Sequence, residues 1–294
     1  MKNRYPGIRA FEYAERDLFF GRKDDIKKLY TSIKAQELVV LFAKSGIGKS
    51  SLINAGLIPL LESDLYQAIK IRLQDPTLAP LEVVKAGLSA YLDEDLLQKH
   101  TGKNKETAGL WSYIKACTFP QREGNATPVL IFDQFEEFFE HSEANQFDLI
   151  SGIADLLGER LPTEIQANLR KIPFAKRTTA DLDWHSPVEV KVIFAIRSDR
   201  LSLLDRLSDE IPMILSNRYH LQPLQRKQAV EAITQPALLE GDFSTAPFKY
   251  QADTLERMLD YLSNKDQEIE SFQLQLICQH IEKEVKMRAG ETLD

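Results

Sequence analysis

The chain has 294 residues, 43% of them hydrophobic and 28% charged, and a formal net charge of −7. That composition is ordinary for a soluble globular protein, with length enough for one large α/β domain and a smaller helical one. The acidic balance argues against a chain steered as a whole toward nucleic acid, and two lone cysteines, Cys117 and Cys278, exclude a disulfide framework.

Residues 1–21 are a lead-in studded with aromatics: Tyr5, Phe11, Phe19 and Phe20. Met1-Lys-Asn-Arg-Tyr-Pro6 lacks the apolar core of a signal peptide, and no run approaches the ~18 apolar residues of a membrane helix, so the expectation is a cytoplasmic chain with no membrane segment. Residues 23–35 carry helical periodicity through Ile26, Leu29 and Ile33. Residues 38–43 form a continuous apolar run, as in a strand buried on both faces, and 50–61 read as a helix. A second strand is expected over 68–73, before the turn signal Gln74-Asp-Pro76. Helices follow over 80–91 and 107–117, joined by a polar segment around 99–105. Pro128–Asp133 is the clearest later strand, and 135–157 reads as one helix. Residues 161–184 show no strong period and are expected to be irregular. Residues 188–196 form another strand and 218–221 a short last one. From Gln225 onward the pattern is helical, with a break near 241–249. Both cysteines sit in helix-like apolar patterns and are expected as buried thiols.

Strands alternating with helices indicate a parallel α/β sheet, and the helical tail a second domain. The expected organisation is a lead-in over 1–21, a core over 22–224 and a small helical domain over 225–294.

The segment Ala43-Lys-Ser-Gly-Ile-Gly-Lys-Ser-Ser51 carries the chemistry. It joins an apolar strand to a helix through a small-residue turn, the layout of a phosphate-binding P-loop. Gly46 and Gly48 let the backbone curl so that its N–H groups, those of Lys44, Ser45 and Ile47 included, face an anion. The helix that begins near Lys49 adds the positive end of its dipole. Lys49 reaches the β- and γ-phosphates as a point charge, Ser50 offers a hydroxyl to Mg²⁺, and Ser51 follows it into the helix. Ala43 stands where the usual pattern has glycine.

Asp133 ends a strand at the carboxyl edge of the sheet, where ligands of open α/β sheets sit, and is the candidate Mg²⁺ carboxylate; it also reads as an N-cap. Many ATPases place Glu directly after this Asp, and here the position is Gln134. Glu136 and Glu137 are the candidates for orienting or deprotonating water, Glu136 slightly ahead, against a reading as a solvated acidic helix start. Arg197, at the tip of the next clear strand, is the candidate for sensing the γ-phosphate, against a reading as a salt bridge to Asp133 or Glu136.

Taken in order, these segments resemble the STAND class of P-loop ATPases, specifically its novel STAND branch. The resemblance runs through Tyr5-Pro-Gly-Ile-Arg-Ala-Phe11, Asp17-Leu-Phe-Phe-Gly-Arg22, the P-loop with Ser51-Leu-Ile-Asn-Ala-Gly-Leu-Ile-Pro59, Ile71-Arg-Leu-Gln-Asp-Pro76, Ile131-Phe-Asp-Gln-Phe-Glu-Glu137, Ile196-Arg-Ser-Asp199 and Arg218-Tyr-His-Leu-Gln-Pro-Leu224. It implies a P-loop NTPase three-layer sandwich followed by a lid-like helical domain. It implies that Phe20, Gly21 and Arg22 lie against base and ribose, and that Pro223 packs on adenine, with Leu221 standing where the family has glycine. Asp133 matches the Mg²⁺ carboxylate and Arg197 the sensor arginine. Family members are signalling switches, closed with ADP and open and oligomerising with ATP. They carry a winged helix, a repeat sensor and often an effector; the chain ends at 292–294, about where the winged helix would begin. The expected ligands are therefore ATP or ADP with Mg²⁺, and self-association is expected through C-terminal modules. Two other readings stay open: an origin-recognition-like ATPase associated with DNA, and a nucleotide-binding module without turnover.

Overall fold

The computed structural model describes residues 2–121, 124–158 and 161–291. Five strands build the main sheet: β1 (Leu38–Ala43), β2 (Tyr66–Ile71), β3 (Thr127–Asp133), β4 (Lys191–Arg197) and β5 (Arg218–His220). Their order across the sheet is β2-β3-β4-β1-β5, and the strands run parallel. The expected α/β architecture is what the chain forms. The residue pattern explains the order. β1, β3 and β4 are apolar along almost their whole length and buried on both faces, as inner parallel strands must be. β2 is an edge strand and carries the exposed Lys70.

By their internal contacts the residues group into two units: Met1–Thr31, Phe42–Leu61 and His220–Asp294 in one, Ser32–Leu41 and Glu62–Tyr219 in the other. The unit of Ser32–Leu41 and Glu62–Tyr219 holds β2, β3 and β4. Helix Pro80–Leu88, opened by proline at its first position, packs on β2 and on helix Glu143–Leu157. Helix Leu110–Lys115 lies so close to Glu143–Leu157 that a Cβ on Gly152 would come within 2.9 Å of the Leu110 Cβ.

Three elements of this unit depart from the sequence reading. The polar joining segment contains a helix, Glu94–Thr101: Asp93 caps it by accepting from the Leu96 N–H at 2.8 Å, and Gly102 closes it in the left-handed region at φ 67°. Residues 135–157 are two elements, a 3₁₀ turn over Phe135–Glu140 and the helix Glu143–Leu157, whose N-cap Ser142 accepts from the Asn145 N–H. Residues 161–184 are ordered as short helices, Thr163–Lys171 and Thr179–Trp184, the second opened by a capping box between Thr178 and Asp181.

The other unit carries helices Arg226–Leu238, Ala252–Leu262 and Ser271–Glu291. Their core gathers Leu224, Ile233, Leu259, Ile269, Leu274 and Cys278, and Tyr5 of the lead-in is buried among them. The Tyr5 hydroxyl donates to the Ile233 carbonyl. Arg4 is fully buried: its guanidinium donates to the Pro236 carbonyl at 2.8 Å, and its backbone N–H donates to the Glu282 carboxylate at 2.8 Å. The lead-in is therefore a structural part of this helical core. Residues 292–294, which bear on the expected start of a winged helix, lie outside the described residues.

Cys278 is buried as expected, whereas Cys117, just past helix Leu110–Lys115, is only half-buried; desolvation pushes each thiol up to about 12. Among the described residues no helix is long and apolar enough to cross a membrane.

Candidate functional site

In the unit that contains it, the P-loop has the backbone its residues require. Gly46 (φ 80°) and Gly48 (φ 105°) both occupy the left-handed region, where a side chain would be strained. The helical run after it has three pieces, Lys49–Ser51, a π-type segment Leu52–Leu57 and Ile58–Glu62. Every residue of the middle piece is buried, and Gly56 is one of them because a Cβ there would sit 2.6 Å from Ile26 Cδ1. Lys49 is 8% exposed, and its ammonium donates to the Ala43 carbonyl at 3.2 Å. A buried ammonium beside a loop in this conformation suits a multiply charged anion, so the residues present fit a nucleotide's phosphates.

The loop is fixed from behind. Arg22, 4% exposed, donates to the Ile47 carbonyl at 3.1 Å, to the Gln222 carbonyl at 2.7 Å, to Ser271 Oγ at 3.1 Å and to Asp25 at 3.1 Å. Ser271 Oγ donates to the same Ile47 carbonyl at 3.0 Å. Gly21 precedes Arg22 at φ 82°, and a Cβ there would meet the Gln228 carbonyl oxygen at 2.3 Å. Phe20 is half-buried, as is Pro223, which follows the Gln222 carbonyl that Arg22 holds. The structure thus brings Phe20, Gly21, Arg22, the loop 44–51 and Pro223 into one unit. Lys44 and Ser45 are exposed, Ile47 is buried and Ser50 is half-buried. Ser51 Oγ accepts from the Phe11 N–H at 3.1 Å, and Asn54 donates to the Phe11 carbonyl at 3.1 Å, so both sides of Phe11 are tied to the helix after the loop.

The acidic centre lies in the other unit. Asp133, 1% exposed, ends β3, and the Lys70 ammonium of β2 stands 3.3 Å from its Oδ2. Its carboxylate is a hard oxygen donor of the kind Mg²⁺ takes. Among the described residues no group of three or more His, Cys, Asp and Glu gathers as a metal cage.

After Asp133 the backbone of Gln134 enters the left-handed region at φ 57°, a conformation rare outside glycine. It feeds the 3₁₀ turn Phe135–Glu140. With three residues per turn, Phe135 and Phe138 fall on one face, and both are buried at 1% exposure or less. Phe135 stacks on Phe194 of β4 at 4.1 Å and on Phe138 at 4.8 Å. The intervening Glu136 and Glu137 are turned the other way and are half-buried. Glu136 Oε2 accepts from the Arg197 backbone N–H at 3.3 Å. Glu137 is held by Arg72, the residue after β2, at 2.8 Å.

Arg197 is exposed, and its guanidinium pairs with Asp199 at 2.8 Å and 3.0 Å, so the pairing found is with neither Asp133 nor Glu136. That pairing holds its pKa above the ordinary arginine value and that of Asp199 below the ordinary carboxylate value. Lys70, Arg72 and Ser271 were not singled out by the sequence reading. Alternating cations at the end of an otherwise apolar strand are the signal for the first two. Ser271 gave none, since a serine opening a helix is an ordinary cap.

The comparison with curated proteins finds no match. Among solved structures, a Walker-type ATPase of Pyrococcus abyssi is similar at TM-score 0.54 and 11% identity, over 95% of this chain and 73% of that one. The Aeropyrum pernix ORC2 protein in its ADPNP–ADP complexes is similar at TM-score 0.54 and 13% identity, over 98% of this chain and 65% of that one. The Aeropyrum pernix ORC1 protein in complex with DNA is similar at TM-score 0.50 and 11% identity, over 92% of this chain and 62% of that one. The chain therefore spans less than two thirds of the two Aeropyrum proteins, and at these identities the likeness is one of fold. The family model described as Novel STAND NTPase 1 matches residues 5–277, and the chain belongs to that family of nucleotide-binding NTPases.

Proposed function

We propose that this NTPase is a slow, Mg²⁺-dependent ATPase that works as a cytoplasmic switch in signalling or defence. It is closed with ADP and open with ATP, and it self-associates through C-terminal modules. The observation that carries the reading is the P-loop itself: two left-handed glycines, a buried Lys49 and a loop carbonyl held from behind. In this reading the loop N–H groups and Lys49 hold the β- and γ-phosphates. Phe20, Gly21 and Arg22 serve base and ribose, Arg22 through the backbone it holds, and Pro223 packs on adenine. Ser50 and Asp133 would hold Mg²⁺, which draws charge from the phosphate oxygens. Glu136 or Glu137 handles the attacking water. The core is assigned to 22–224, and the helices of 225–294 act as the lid.

A second reading, nucleotide binding without turnover, is favoured by one feature: Gln134 occupies the place after Asp133, and an amide is a poor proton acceptor. DNA association, known from the ORC1 structure for that protein, finds no support in a chain of net charge −7. The test is to identify the nucleotide that copurifies and then to follow single-turnover hydrolysis with Mg²⁺. Copurifying ADP and slow cleavage of ATP are expected. ATP bound and left intact would select the second reading; failure to bind any adenine nucleotide would remove both.

A further inference from the structure

The acidic turn presents two neighbouring carboxylates, and β2 distinguishes them. Lys70 and Arg72 are two residues apart, so they project to the same side of the strand and its extension. Lys70 reaches Asp133, and Arg72 reaches the turn. The guanidinium makes three bonds there: Nη2 donates to Gln134 Oε1 at 2.7 Å and to Glu137 Oε1 at 2.8 Å, and Nε donates to Glu137 Oε2 at 3.3 Å.

Arginine has donors and no acceptor, which settles how both partners face. Gln134 must turn its carbonyl oxygen toward Arg72, leaving its NH₂ as the outward end. Such an end can donate to an anion or to a water oxygen and cannot take a proton. Glu137 has both oxygens engaged by the fork, the geometry that best immobilises a carboxylate. Among the described residues Glu136, on the same turn, is bound through Oε2 alone, by the Arg197 backbone N–H at 3.3 Å.

We infer that Arg72 is a positioning residue for hydrolysis: it locks Gln134 and Glu137 in place and so leaves Glu136 as the carboxylate that takes the proton of the attacking water. In the step so assigned, the water oxygen forms a bond to the γ-phosphorus. The bond from that phosphorus to the β–γ bridging oxygen breaks, its electron pair leaving with ADP, and Glu136 accepts the water's proton. Arg72 touches none of the reacting atoms. The inference rests on the hydrolytic reading above and adds to it which glutamate acts and what holds the other away.

The test measures ATP affinity, single-turnover rate and thermal midpoint for the wild type and for Arg72→Ala, Arg72→Lys, Glu136→Gln, Glu137→Gln and Arg72→Ala/Glu136→Gln. Glu136→Gln is expected to slow hydrolysis at least about tenfold, and Glu137→Gln by less than about threefold, since its amide oxygen still accepts from Arg72. Arg72→Ala should slow hydrolysis about tenfold with affinity changed less than about twofold, and Arg72→Lys, with one point donor for the fork, should fall between. The double variant should be no slower than Glu136→Gln alone, because residues acting as a unit are not additive.

A merely structural arginine would instead lower the thermal midpoint and add its loss to that of Glu136→Gln, and that result overturns the inference. So does a loss in Glu137→Gln as large as in Glu136→Gln, or an unchanged rate in Arg72→Ala or, if that variant does not fold, in Arg72→Lys. Wild type that binds ATP and leaves it intact removes the hydrolytic reading and this inference together, whereas wild-type turnover with an unaffected Arg72 variant removes this inference alone.

Discussion

Lys49 shows how much one residue can be asked to do. The residue is 8% exposed, and its ammonium donates to the Ala43 carbonyl at 3.2 Å, a neutral acceptor and so a weaker partner than a phosphate oxygen. Lys49→Ala should cost roughly 1.5–3 kcal/mol of ATP affinity, a charge-assisted hydrogen bond. Calorimetric titration checks this, and an unchanged affinity would detach the lysine from phosphate binding. Asp133 is the second such residue. In Asp133→Ala the ion pair with Lys70 is lost, and the dependence of ATP binding on Mg²⁺ concentration should flatten, read as affinity across a Mg²⁺ titration. Both residues stand out as candidates in the sequence, Asp133 as the charged end of an apolar strand and Lys49 as the lysine of a P-loop pattern. Arg72 was not found, because its three bonds run to residues more than 60 positions away, and no local pattern encodes a partner at that range.

At the scale of elements, the 3₁₀ turn Phe135–Glu140 fixes where the two glutamates point, and its aromatic face anchors it. Phe138 is fully buried and stacks on Phe135 at 4.8 Å. Phe138→Ala should cost about 3–5 kcal/mol of stability, the usual range for an aromatic removed from a core, and denaturant unfolding would measure it. Hydrolysis should fall more than nucleotide affinity, since Lys49 and the loop 44–51 belong to the other unit. This element was misread as the start of a long helix because apolar residues at 135, 138 and 139 satisfy a helical period as well as a 3₁₀ one. The break was nevertheless written in Ser142, a cap three residues before the Asn145 N–H it accepts from. Helix Glu94–Thr101 is the same lesson: Asp93 and Gly102 mark its two ends, but its polar composition hid it. The buried strands β1, β3 and β4 were legible because a parallel strand covered on both faces leaves a continuous apolar run that few other structures produce.

At the scale of the whole molecule, the proposed switch needs an interaction that ATP makes and ADP does not. Arg197 is the candidate, and its present partner Asp199 is exposed and two residues away. Arg197→Ala should lower the preference for a non-hydrolysable ATP analogue over ADP by roughly fivefold or more while barely moving ADP affinity. Paired titrations with the two ligands decide it, equal losses for both ruling out a sensing role.

The Ile47 carbonyl, held by Arg22 and Ser271 together, has a consequence of its own. Ser271 is the first residue of a 21-residue helix, so a rigid lever arm is fastened to the loop by one hydroxyl. Displacement of the first turn of that helix acts on one peptide plane of the P-loop. Equilibrium linkage makes the traffic two-way: if tugging the arm loosens nucleotide, bound nucleotide must stiffen the arm by the same free energy. Amide exchange in the first turns after Ser271 should therefore slow when ADP binds, and Ser271→Ala should uncouple the helix from the ligand while the loop, still held by Arg22, keeps its shape.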